Sequence, residues 1–157
     1  MKNTIGLILG AAIFLLTTTA LALPPIPDYA AEHYGKQPGG DKIVEAMKFK
    51  AAMGKCSMCH IPDADKKAKG HGLNDFGKAV HDNFKHKDFT AEDKNSKAEG
   101  ATDEAKAAAK AKAMTILVDA LGKASAMKNK DGKVYGDLIK AGTIPGDNSK
   151  KPEVPKK

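Results

Sequence analysis

The chain contains no arginine and no tryptophan, only two cysteines, and aromatic residues at just 5% of its 157 positions. All 26 of its basic residues are therefore lysine, set against 19 acids. Readers of nucleic acid favour arginine, whose planar fork makes paired contacts to bases and phosphates, so its absence argues against DNA or RNA as a partner. A lysine-rich chain of net charge +7 suits an acidic protein partner, or else uses scattered lysine to keep an alanine-rich surface soluble. Few aromatics mean a thin core, because much of the 41% apolar content is alanine, which buries little area. A large apolar cofactor would supply the missing contacts. No internal repeat, β-alternation or hairpin signal is present, and neither a nucleophile with a recognisable base nor a phosphate-binding glycine loop marks an enzyme.

The first 22 residues have the order of an export signal: Lys2, an apolar run from Ile5 to Leu16, three threonines, and Ala20-Leu21-Ala22 as a cleavage site. Cutting after Ala22 removes one lysine and leaves 25 against 19 acids, a charge of +6. The expected location is the periplasm or another exported compartment. An apolar run of this length is marginal for a bilayer span, so an uncleaved membrane anchor is the alternative. No cysteine lies near the cut, which argues against a lipoprotein.

Residues 23–40 are rich in proline and glycine and read as an irregular arm. Asp41 is a fair N-cap for a helix over 42–54, where Ile43, Val44, Met47, Phe49 and Ala51 form an apolar face and Gly54 is the stop. A loop over 61–72 follows. Leu73, Phe76, Val80 and Phe84 then recur at helical spacing. Thr90 can cap a short helical piece, but 88–102 is polar and reads as loose. Thr102 caps the strongest helix, with Asp103 and Glu104 at its positive end and a stripe of Ala113, Ile116, Leu117, Ala120, Ala124 and Met127. A Lys-Asp-Gly turn (130–132) leads to a last short helix carrying Val134, Tyr135, Leu138 and Ile139, stopped by Gly142. Residues 147–157 form a lysine/proline-rich tail of disordered character. The expected architecture is all-α, one domain over 41–146 with four to five short helices.

Both cysteines fall in Cys56-Ser57-Met58-Cys59-His60. Two thiols three residues apart can each add to a haem vinyl group, and the adjacent histidine can ligate the iron. The expected site is therefore Cys56 and Cys59 as covalent attachment points for one haem c, with His60 as the proximal iron ligand. Three other readings compete. A thioredoxin-like pair needs a βαβ context that is missing. A zinc site needs four ligands, the last two from histidine. A disulfide across so short a loop stabilises little.

The helix leading into this motif, followed by Gly-His-Gly-Leu-Asn-Asp-Phe-Gly-Lys (70–78), resembles a class I-type cytochrome c. Lys55 before the motif and the ending Tyr-Gly-Asp-Leu-Ile-Lys-Ala-Gly-x-Ile-Pro-Gly (135–146) are similar to small exported cytochromes of planctomycete bacteria. The resemblance implies a C-terminal helix packed across the first, and a single-electron carrier between redox proteins. His71 stands where the family usually has proline, and the family's proline-rich loop with a distal methionine is missing. Met127, at the end of the long helix, matches the chain order of that methionine, with His81, His71 and Met114 as alternatives and His86 a further histidine. Met58 lies inside the motif and cannot reach the far face, while Met47 and Met53 read as core. An open iron would instead suit a ligand-binding or sensing protein for NO or CO. A haem subunit of a larger redox enzyme is the third reading.

Overall fold

Proline at the start of a segment and aromatics at helical spacing within it produce a helix where composition suggests a linker. Pro25 and Pro27 occupy the N-cap and first turn of α1 (Ile26–Gly35), where a missing N–H costs nothing. Tyr29, Ala30 and Tyr34 line one face of α1 and are buried. The expectation of an irregular arm over 23–40 is corrected accordingly. The computed structural model describes residues 25–49, 56–61 and 72–146. The expected leader (1–22), Met53, Gly54, His71 with most of its loop, and the tail (147–157) lie outside the described residues.

Among the described residues there are six helices and no strand, so the chain is all-α, with more helices than the four or five expected. α2 (Gly40–Phe49) begins before Asp41, which sits in the first turn rather than at the cap. Glycine is required at 40, because a Cβ there would collide with the backbone of Tyr34 at the α1–α2 corner. α3 (Asp75–Asn83) is capped by Asn74, whose side chain accepts the Gly77 N–H. It buries Phe76, Ala79 and Val80.

α4 (His86–Asn95) replaces the loose segment expected from residue 88 onward. Thr90 lies in mid-helix and its hydroxyl donates to the His86 carbonyl at 2.8 Å, so it is not a cap. What holds α4 is tertiary. Phe89 is fully buried, edge-on to Tyr29 at 5.6 Å and tilted against Phe84 at 5.2 Å between ring centres. The Tyr29 hydroxyl donates to Asp93 at 3.2 Å, and Lys97 donates to the other Asp93 oxygen at 2.8 Å.

α5 (Asp103–Ser125) is capped by Thr102, whose hydroxyl oxygen accepts the Ala105 N–H at 3.2 Å as its sequence leads one to expect. Ala109, Ala113, Leu117, Ala120, Leu121 and Ala124 are buried along it, and the small alanines let α3 and α4 pack close. Ile116 is only partly buried, and Met127 lies beyond the helix end and is 47% exposed, so neither belongs to the buried stripe. Asn129 closes the turn that follows, accepting from the N–H groups of Asp131 and Lys133.

α6 (Tyr135–Lys140) ends at Gly142, which has a φ of 74°. The Gly142 N–H donates to Ile139 and the Thr143 N–H to Leu138, each at 2.9 Å, satisfying the last carbonyls. α6 packs against α2, with Gly142 against Lys42. A contact between the helix before the motif and the last helix is what the resemblance implies, though α1 precedes both.

Candidate functional site

Between α2 and α3 the chain makes one tight turn over Cys56–Met58, where the N–H groups of Cys59 and His60 both donate to the Cys56 carbonyl, at 3.1 and 2.9 Å. Both cysteines are free thiols. His60 pairs with Leu73 in an isolated antiparallel bridge, and the Ile61 N–H donates to the Gly72 carbonyl at 2.8 Å. The motif is thus stitched to the segment that opens α3.

Asn74 does most of the stitching. Its backbone N–H donates to the Cys59 carbonyl at 2.9 Å, its side-chain amide donates to the Met58 carbonyl at 3.1 Å, and its Oδ1 accepts the Gly77 N–H at 2.7 Å. At 2% exposure these bonds are shielded from competing water. Gly77 lies so close to the Cys59 backbone that a side chain there would collide with it, and Gly146 lies equally close to the Asn74 side chain. From the sequence, Gly146 reads only as part of the stop after the last helix, and Asn74 and Gly77 fall inside the 70–78 stretch with no role of their own. An asparagine three residues before a glycine at a helix start is a capping signal, but nothing local says that the capping residue also holds another segment.

The site's chemistry follows from burial. Desolvation, with the neighbouring Cys56 adding to it, pushes the Cys59 thiol up to about 12, so it stays protonated at neutral pH. A thioredoxin-like pair works through a lowered thiol pKa, and this environment does the opposite. Among the described residues no three His, Cys, Asp or Glu side chains gather as a metal cluster, which leaves the zinc reading without its remaining ligands there. The donor set that is present, two free thiols one turn apart with a histidine next to the second, fits covalent attachment of a haem and axial ligation by His60.

The other candidates are dispersed. Met47 is buried in the same cluster as Ile43 and Phe76, as expected of a core residue, and Met58, inside the motif, is buried in that cluster too. Met114 is partly buried against that core. His81 is exposed and lies 3.7 Å from Asp82, and His86 is exposed at the start of α4. Met127 is on the surface, its carbonyl accepting the Tyr135 N–H at 3.0 Å. α6 is tied to α3 by the Tyr135 hydroxyl, which donates to Asp75 at 3.0 Å. Burial and that bond push Tyr135 up to about 12.

No helix among the described residues is long and apolar enough to cross a membrane. No protein-family model, curated protein or solved structure matches this chain. The resemblance to class I-type cytochromes c therefore rests on residues 56–60, 70–78 and 135–146 alone.

Proposed function

We propose that this protein is an exported c-type cytochrome carrying one covalent haem and passing single electrons between redox proteins. The observation that carries the reading is the Cys56–His60 turn, with two free thiols and an adjacent histidine, fixed to the start of α3 by Asn74. The haem, when bound, supplies a ferrous/ferric couple. The chain's own residues hold it. Cys56 and Cys59 form thioethers that prevent loss outside the cell, and His60 ligates the iron. Asn74 keeps the motif backbone from shifting as the charge on the iron changes. The lysine surface offers an acidic redox partner a complementary field that speeds encounter.

The test is denaturing electrophoresis with haem staining of protein made in a host that matures c-type cytochromes. One haem per chain should stay with the polypeptide through acid-acetone extraction, and Cys56→Ala with Cys59→Ala should lose it. Haem that washes out, or stays in the double variant, sinks the assignment.

One observation favours a second reading. Met127 is 47% exposed just beyond the end of α5, a position that suits an iron left open for NO or CO. The reduced protein's spectrum separates the two: immediate CO binding selects the ligand-binding reading. A ferric far-red band abolished by Met127→Ala selects the carrier with a methionine ligand.

A further inference from the structure

The charge of the folded chain is unevenly placed. Among the described residues, those up to 122 hold 11 lysines against 13 acids, whereas 123–146 hold five lysines (Lys123, Lys128, Lys130, Lys133 and Lys140) against two aspartates. The positive excess of these residues therefore lies at the end of α5, the turn after it, and α6. Lys128 and Lys133 are both exposed and make no ion pair among the described residues. The same corner carries Met127, the one large apolar side chain that is exposed among the described residues. Backbone bonds hold the corner in shape. The Tyr135 N–H donates to the Met127 carbonyl at 3.0 Å, Lys128 pairs with Val134 in an isolated bridge, and the Asn129 N–H donates to the Lys133 carbonyl at 2.8 Å. A surface fixed in this way loses little freedom when a partner binds it.

One apolar side chain among unpaired lysines fits an acidic surface with an apolar spot on it. Asp131 and Asp137 stand among these lysines, so the corner carries fixed charges of both signs. A patterned protein surface can match them, whereas a uniformly anionic bilayer is repelled by the aspartates and gains little from a single methionine. The corner is also tied to the Cys56–His60 turn. Tyr135 packs edge-on to Phe76 at 5.2 Å and donates to Asp75, which adjoins the Asn74 that binds the Met58 and Cys59 carbonyls. We propose that the α5–α6 corner is the docking face for an acidic protein, with Met127 at its centre and Lys128 and Lys133 guiding the approach. The inference rests on the carrier reading above only for the partner's being a redox protein; the docking itself needs only the folded chain.

The test is binding of the mature protein at low salt to an immobilised glutamate–tyrosine copolymer, which offers carboxylates with apolar groups among them. Lys128→Glu with Lys133→Glu is compared with Lys87→Glu with Lys94→Glu, exposed positions of α4 that change the net charge by the same amount. The first pair should weaken binding about tenfold or more, and the second less than about twofold. Both pairs should keep the wild-type melting temperature, since all four side chains are exposed. Met127→Ala should weaken binding to the copolymer and leave binding to polyglutamate alone unchanged. Equal losses in the two lysine pairs would mean that total charge acts and no face is selected, which overturns the proposal. So would a wild type that binds no copolymer, or one that binds phosphatidylglycerol vesicles through Lys128 and Lys133 more tightly than it binds the copolymer. A ferric far-red band lost in Met127→Ala would put that side chain on the iron, overturning this inference while upholding the carrier. A chain without covalent haem that still passes the binding test overturns the proposed function and leaves the docking face standing.

Discussion

At the scale of single residues, the candidate motif is visible because it depends on spacing along the chain, and 56, 59 and 60 are fixed there. Asn74 and Gly77 are not legible in the same way, since what they do depends on which carbonyls another segment brings to them. Glycines illustrate the difference. Gly77 and Gly122 both sit inside helices and look alike in sequence. An added Cβ at 77 meets the Cys59 backbone, whereas at 122 it meets open space. Gly77→Ala should therefore destabilise the protein by about 1–3 kcal/mol through overpacking and reduce haem attachment by displacing the motif. Gly122→Ala should stabilise it by about 0.5–1 kcal/mol through helix propensity alone. Urea unfolding of the two variants beside wild type checks both signs. Equal effects would mean that α3 does not press on the attachment turn.

At the scale of elements, the sequence reveals α5 and α6 and hides α1 and α4. Thr102 as cap, alternating alanine and leucine at helical spacing, and Gly142 as a stop are local signals, and local signals suffice there. α1 is masked by prolines that fall at the few positions a helix tolerates them. α4 offers one buried apolar residue in ten, and its polar surface gives no stripe to read. Its existence depends on Phe89 finding Tyr29 of α1 and Phe84, contacts that span 60 residues and five, respectively. The hidden helices thus hold each other: Tyr29, Phe89 and Asp93 form the clasp. Phe89→Ala should cost about 3–5 kcal/mol, and Thr90→Ala, one residue on, should cost far less because that hydroxyl bonds only within its own turn. Thermal unfolding by circular dichroism checks the contrast. A small loss for Phe89→Ala would mean that α4 is held by its polar bonds.

At the scale of the whole molecule, the thin core leaves polar and ionisable groups sharing the interior with alanine, and this sets how stability depends on pH. Burial pushes Tyr34, Tyr135 and Cys59 each up to about 12 in the folded chain, from ordinary values of 10.0, 10.0 and 9.0. All three are neutral when protonated. Below pH 9 they are protonated whether the chain is folded or not, and their contribution to stability is fully present. Between pH 9 and 12 the unfolded chain releases these protons while the folded chain keeps them, so folding loses up to about 1.4 kcal/mol per pH unit for each group in that window. A haem-free chain should therefore unfold progressively above pH 9, the cysteine acting first and the tyrosines about a unit later. Under the proposed haem attachment Cys59 would become a thioether with no proton to lose, so in a loaded protein the decline should begin nearer pH 10 and be shallower. Tyr34→Phe with Tyr135→Phe should flatten most of what is left, although losing the bond from Tyr135 to Asp75 lowers the plateau near pH 7. Denaturant midpoints measured from pH 7 to 11.5 on the three proteins test this. An alkaline limb identical in all of them would place its origin in the lysines rather than in the buried hydroxyls and thiol.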